Sequence, residues 1–247
     1  MKGVVLAGGL GTRLSPLTRV TNKHLLPIYD KPMIYYPISY LVNCGIEDIM
    51  VVTGGPSAGD FLRLLGNGEE FGLKDLHYTY QRGEGGIAEA LSLARNFADD
   101  EPVAVVLGDN IFERGIHQAL DSYPGEGAMI LLKDVPDPQR FGVPRLEGEK
   151  VVEILEKPKS PPSPYAAVGA YVYDPRVFEI IDALEPSARG ELEITDVTNA
   201  YIGWGEMRYG ILDGWWTDAG TFDSLLQANH LVAGSAAAQV KIGPEDA

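Results

Sequence analysis

Short apolar runs alternate with amphipathic stretches along the first half of the chain. KGVVLAG, EDIMVVTGG, LHYTYQ and PVAVVLGD are largely apolar or β-branched. Each leads into a helical pattern: MIYYPISYLVNCG, a stretch near Ser57 to Leu65, GIAEALSLARNFA, and a stretch near Gly115 to Ser122. In GIAEALSLARNFA, the residues Ile87, Leu91, Ala94 and Ala98 fall on one face of a single expected helix. Strands too apolar to be wetted on one side need cover on both faces.

This predicts an α/β fold, with a Rossmann-like, mostly parallel central sheet flanked by helices. After about Gly127 the pattern changes. AMILLKDV, VPRLEGEKVVEILEKP and YAAVGAYVYD read as strands with little helix between them, LEGEKVVEI as a hairpin around Gly148, and KPKSPPSP as a proline-rich loop. Helical patterns return at Glu193 to Ile202 and Thr221 to Ala233, on either side of the strand-like MRYGILDGWW. We expect one domain over 1–247. It comprises a nucleotide-binding half (about 1–126), a mixed α+β portion (about 127–220), and a C-terminal helix and tail (221–247) whose last dozen residues fray.

The 247 residues, 45% hydrophobic, can bury a substantial core. No run reaches the roughly 20 apolar residues of a membrane span, and MKGVVLAGG reads as a first strand without a signal region, so a cytoplasmic location is expected. The single cysteine, Cys44, is expected to be a buried thiol. A net charge of -15 argues against electrostatic binding to nucleic acid or anionic membrane. The charge is uneven, however: Lys2, Arg13, Arg19, Lys23 and Lys31 stand against only Asp30 in the first 33 residues. A small polyanion suits such a site.

The glycines of VVLAGGLGTRLSP belong to neither of two common phosphate loops. Gly11 is followed by Thr12-Arg13-Leu14, without the lysine and hydroxyl of a P-loop, and a dinucleotide fingerprint would need a small residue at Leu14. What remains is a wide turn, Gly8-Gly9-Leu10-Gly11-Thr12, offering backbone N–H groups near a helix start, with Arg13 adding a fixed charge. The same glycines would also suit a purely structural strand-to-helix turn.

LAGGLGTRLSPLT followed by NKHLLPIYDKPMIYYPISYL resembles the signature of the sugar-1-phosphate nucleotidylyltransferases. The resemblance continues through QRGEGGIAEAL, VLGDN, RFGV, EKP, VGAYVYD, RGELEITDV and WWTDAGTFDSLLQAN, in that family's order. KPMIYYPI, GELEITDV and the D-x-G-T-x-x-S-L-L run look most like the branch that joins dTTP to glucose 1-phosphate. The resemblance implies release of pyrophosphate and dTDP-glucose, at the first step of dTDP-deoxysugar synthesis. It also implies Mg²⁺ as cofactor and a homo-oligomer, a tetramer.

A sugar-phosphate dianion, with a second pKa near ~6, needs no general base, so positioning and charge stabilisation are the whole problem. The resemblance makes Arg13, Lys23 and Asp109 catalytic. Arg13 would meet the triphosphate and the departing pyrophosphate, Lys23 the attacking or α-phosphate oxygen, and Asp109 with Asp218 would bind the metal. Taken alone, each of the two aspartates could instead cap a following helix. Leu6, Gly8, Gly9, Gly11 and Thr12 would line the nucleotide site, with Gln81 and the Gly86 backbone reading the base. Gln81 would donate to a pyrimidine carbonyl and accept from N3–H. Sugar and sugar phosphate would fall to Asn110, Gly142, Glu156, Lys157 and the strand from Val168 to Tyr171, with Arg189 a second candidate for that phosphate.

Four positions depart from the family pattern: His24 and Glu89 replace glutamines, Phe141 a tyrosine and Ala219 a threonine. They remove no charge the reaction needs and are expected to loosen selectivity among dTTP, UTP and related sugars. The alternatives are the same reaction with UTP or another sugar 1-phosphate, or a nucleotide-sugar sensor without turnover. Longer relatives build an effector site between subunits from additional C-terminal helices, and its absence is expected here. A second calorimetric binding step with dTDP-rhamnose outside the cleft would contradict that expectation.

Overall fold

A computed structural model of the chain describes residues 1–235. The last dozen residues, expected to fray, lie outside them. In chain order the first half comprises β1 (Lys2–Ala7), β2 (Pro27–Ile28), β3 (Lys31–Pro32), α1 (Tyr35–Asn43), β4 (Ile49–Gly54), α2 (Ala58–Leu65), β5 (Leu76–Gln81), α3 (Ile87–Ser92), α4 (Arg95–Ala98), β6 (Val103–Leu107), β7 (Asn110–Phe112) and α5 (His117–Asp121). The second half adds β8 (Ala128–Asp134), β9 (Gly142–Glu147), β10 (Lys150–Glu156), β11 (Tyr165–Tyr173), α6 (Val177–Asp182), α7 (Ile194–Trp204), β12 (Met207–Ile211), β13 (Trp216–Asp218) and α8 (Phe222–Ala233).

One nine-stranded sheet runs through both halves in the order β10-β9-β11-β6-β1-β4-β5, with β8 joined to β11 and β12. Neighbours from β6 to β5 are parallel, and β11 then runs antiparallel to β6, β8 and β9. The pairing changes direction between β6 and β11, and the sheet is continuous across that change. Two apolar cores cover the sheet. One contains Ile38, Leu41 and Phe61 of α1 and α2 and Val232 of α8, and the other contains Leu91, Phe178 and Tyr201 of α3, α6 and α7. The hairpin around Gly148 pairs β9 with β10, and Gly148 takes φ +60°, a backbone angle that favours glycine.

Several local expectations need correction. GIAEALSLARNFA is two short helices, α3 and α4, interrupted at Leu93 and Ala94, although Leu91, Ala94 and Ala98 are fully buried as a helical face requires. The turn after β1 leads into a 3-10 helix of three residues, Thr12–Leu14, not an α-helix, so no long macrodipole stands behind it. Helix α6 was not expected. Cys44 is half-buried at the C-terminus of α1, and burial pushes its thiol up to about 11.

Asp174 fastens the second half. Its buried carboxylate accepts hydrogen bonds from Gly127 N (2.7 Å) and the Tyr201 hydroxyl (2.8 Å) and pairs with Arg176, joining the start of β8, the end of β11 and α7. Asp174→Ala strands these donors and is expected to cost about 3 kcal/mol in urea unfolding at neutral pH.

Candidate active site

The C-terminal tips of β1, β5 and β6 open into a cleft of about 750 Å³, where open α/β sheets place ligands. Every residue expected at the site lines it except Val168. Alternation along β11 sends that side chain the other way, fully buried in the core with α1, while Ala167, Gly169 and Tyr171 face the cleft.

The glycine turn forms one wall. Gly11 takes φ +66°, and a Cβ there would lie 2.9 Å from Lys23 Cβ, so the turn and the Lys23 segment pack too closely for a side chain. Thr18 Oγ1 donates to the Gly11 carbonyl at 3.0 Å. Asn22 caps the 3-10 helix Lys23–Leu25 by accepting His24 N through Oδ1 at 3.0 Å, and the same oxygen meets His24 Nδ1 at 2.7 Å. His24 is buried beneath the tip of β6, where a Cβ on Gly108 would lie 2.7 Å from its ring. Burial, then the Lys23 charge, push its pKa down to about 3, so the ring is neutral.

Asp109 and Asp218 meet through β7 and β13. These strands pair antiparallel with Asp218 opposite Asn110, and Ala219 N donates to the Asp109 carbonyl at 2.8 Å. Neither aspartate caps a helix: Ile111 lies in β7, and Thr221 caps α8 in a reciprocal box with Ser224. The position a Cβ would occupy on Gly220 is 3.5 Å from Oδ2 of both aspartates and 2.9 Å from Arg13 Nη2. Three segments remote in sequence therefore converge on one glycine.

Lys23 Nζ lies 2.5 Å from Asp109 Oδ2, and both side chains are largely buried. Burial raises the Asp109 carboxyl, but Lys23, His24 and the Asn110 amide outweigh it and hold the group below the usual carboxylate range. Among the described residues Asp218 forms an ion pair with Arg140 alone, at 3.4 Å, and burial with the Asp109 charge pushes it up to about 6. Arg13 is exposed and has no ion pair among the described residues.

At the other end, Gln81 is buried at the tip of β5. Its Nε2 donates to the Gly86 carbonyl at 3.1 Å and to Glu89, while Oε1 lies against Gly8. Both amide hydrogens are thereby engaged, so Gln81 faces the cleft as an acceptor only. The expected paired donation and acceptance would require it to release Glu89.

The wall from β9 to β13 is polar. Asn110 Oδ1 accepts from Gly169 N (3.0 Å) and the Trp216 indole (2.7 Å), and its Nδ2 donates to Asp109 Oδ1 (2.9 Å). Glu156 accepts from the Thr195 hydroxyl at 2.7 Å beside Gly142. Lys157, at φ +44°, pairs with Glu156 at 3.1 Å. Arg189 is held by Glu193 at 2.7 Å, with Glu156 and Glu191 at 3.4 Å. Sequence reasoning missed Arg140, Thr195 and Trp216. RFGV and WWTD had drawn attention to their neighbours, but nothing in spacing alone distinguishes Arg140 from a surface arginine.

A nucleotidyl transferase family model matches residues 2–235, and the chain belongs to that family of enzymes. It is 44% identical over 238 residues to the glucose-1-phosphate thymidylyltransferase of Neisseria meningitidis serogroup A, covering 94% of this chain and 82% of that protein. A Bacillus anthracis crystal structure assigned to glucose-1-phosphate thymidylyltransferase, in complex with a sucrose, superposes with TM-score 0.91. It is 50% identical, covering 95% of this chain and 96% of that one. A UDP-glucose pyrophosphorylase complexed with UDP-glucose shares the fold, with TM-score 0.79 at 24% identity, covering 93% of this chain and 97% of that one. No helix among the described residues is long and apolar enough to cross a membrane.

Two buried groups at the site titrate in opposite senses. Neutral His24 leaves the unfolded chain binding the extra proton between pH 6.5 and about 3, which lowers stability on acidification. Asp218 binds its proton in the folded state between about 6 and 3.8, which raises stability on acidification. Between pH 6 and 4 the two offset one another. With EDTA present, His24→Gln is expected to gain stability relative to wild type as pH falls, and Asp218→Asn to lose it, each by about 1.4 kcal/mol per pH unit in urea unfolding.

Proposed function

We propose that the cleft transfers a thymidylyl group from dTTP to α-D-glucose 1-phosphate, giving dTDP-glucose and pyrophosphate, a first step toward dTDP-deoxysugars. The convergence of Arg13, Asp109 and Asp218 on Gly220, with Lys23 held by Asp109, carries this reading. It sets a free guanidinium, a buried ammonium and two carboxylates between an acceptor suited to a base and a polar wall suited to a sugar. Relatives 44% and 50% identical over nearly the whole chain bear the corresponding name.

The base enters beside Leu6 and Gly8, where Gln81 Oε1 accepts a pyrimidine N3–H. The triphosphate follows the glycine turn, whose N–H groups and Arg13 take its oxygens, and Arg13 meets the departing pyrophosphate. The sugar lies against Asn110, Gly142 and Glu156, and Lys157 or Arg189 exchanges a glutamate partner for the sugar phosphate. The phosphate dianion attacks the α-phosphorus directly, and Lys23 stabilises charge between the two phosphates.

Asp109 and Asp218 fit Mg²⁺. Two facing carboxylates, with Asp218 raised by burial and then by the Asp109 charge, offer oxygen donors, and a hard ion that keeps waters and substrate phosphates needs few protein ligands. When bound, Mg²⁺ would neutralise charge shared by the α-phosphate and the sugar phosphate.

A pyrophosphate-release assay across nucleoside triphosphates and sugar 1-phosphates tests the reading, with dTTP and glucose 1-phosphate expected to give the highest kcat/KM. Asp218→Ala and Arg13→Ala are expected to lower kcat on the order of a hundredfold. Near-normal turnover of Asp109→Ala in saturating Mg²⁺ would remove the metal assignment.

A further inference from the structure

Glu89 lies outside the cleft lining, on the first turn of α3 behind Gln81. As one of the departures from the family pattern, it carried the expectation of looser selectivity. Its surroundings bear on a different discrimination. The Gln81 amide has polar neighbours on two sides away from the cleft, the Gly86 carbonyl at 3.1 Å and the Glu89 carboxylate. A carbonyl and an ionised carboxylate can only accept, so Nε2 must face them whichever way the amide would otherwise settle. Oε1 is then turned toward Gly8, at the base end of the cleft, and accepts no hydrogen bond from the described residues.

Backbone packing holds this arrangement in place. Gly86 has φ +98°, and a Cβ there would lie 2.5 Å from the Leu192 carbonyl oxygen, so the loop bearing the Gly86 carbonyl is pressed against the strand-like segment before α7. A Cβ on Gly85 would lie 2.9 Å from Glu89 Oε2, so the carboxylate rests against the bare Gly85 backbone, in space that a side chain there would take from it. A glutamine at position 89 could offer either an oxygen or a nitrogen and would let the Gln81 amide flip. A glutamate cannot.

We propose that Glu89 is a positioning residue for specificity: by locking the Gln81 amide with its oxygen toward the cleft, it selects a nucleobase that presents an N–H donor there and rejects one that presents a lone pair. This rests on the base-binding reading of Gln81 above. Thymine and uracil carry N3–H, whereas cytosine N3 is an acceptor that would face Oε1 lone pair to lone pair. Glu89 therefore excludes cytosine nucleotides and does not separate dTTP from UTP.

Steady-state kinetics with dTTP, UTP and dCTP on wild type, Gln81→Ala and Glu89→Gln test the proposal. Wild type is expected to favour dTTP over dCTP in kcat/KM by on the order of 10³-fold. Glu89→Gln is expected to narrow that ratio at least about tenfold, mainly through the nucleotide KM, while leaving the dTTP to UTP ratio as it was. Because the nucleotides are compared on one preparation, any loss of folded protein cancels. Side-chain amide NMR of Gln81 gives a readout independent of turnover: the Nε2 protons should shift on substitution of Glu89. A dTTP to dCTP ratio in Glu89→Gln within twofold of wild type overturns the proposal. If instead Gln81→Ala leaves the nucleotide KM unchanged, the base-binding reading fails and the proposal falls with it.

Discussion

Three residues of backbone pairing, Asn110–Phe112 with Trp216–Asp218, hold the site together. This ladder brings two carboxylates from remote parts of the chain into one desolvated place, an arrangement that like charges oppose. Several bonds resist that repulsion. Ala219 N is tied to the Asp109 carbonyl, the Trp216 indole to Asn110, and Trp215 N to the Glu113 carboxylate at 3.0 Å. Each contributes about 1 kcal/mol net, and together they give the carboxylates no room to separate. Lys23 and Arg140 reduce the charge that remains.

Positive charge in the cleft is therefore held in two conditions. Around the polar wall it is already neutralised, Lys157 by Glu156 and Arg189 by three glutamates. At the glycine turn Arg13 is unpaired among the described residues, and it reaches the point where the aspartates meet. Among the described residues that line the cleft, Arg13 is thus the cation left without a carboxylate partner. An incoming polyanion meets a ready guanidinium at the turn and must displace carboxylates at the wall, which favours orientation over indiscriminate attraction.

Elements with many repeated contacts were legible in the chain. The parallel strands, α1, α2, α7 and α8 and the hairpin at Gly148 all announce themselves by periodicity or turn residues, and each was found within a few residues of its expected place. Elements set by few contacts were not. A three-residue strand carries no period, so the β7 and β13 pairing was invisible, and only the resemblance, not the spacing, set the two aspartates together rather than as helix caps. The interruption of GIAEALSLARNFA was equally hidden, since its apolar spacing satisfies one helix as well as two. Val168 was placed at the sugar because its motif points there, whereas the alternation of β11 sends its side chain into the core.

The sequence by itself determined the layered α/β architecture, the excess of cations near the first strand and, through its motifs, a set of expected site residues nearly all of which line the cleft. Those properties depend on side-chain type and local spacing, which the chain carries directly. Tertiary structure decided which charges stand free and which are paired, that Asp109 and Asp218 share one site, and that Gln81 faces the cleft as an acceptor. Each of these depends on which atom of a distant residue lies within about 3 Å, a distance set by strand register and packing across the whole sheet.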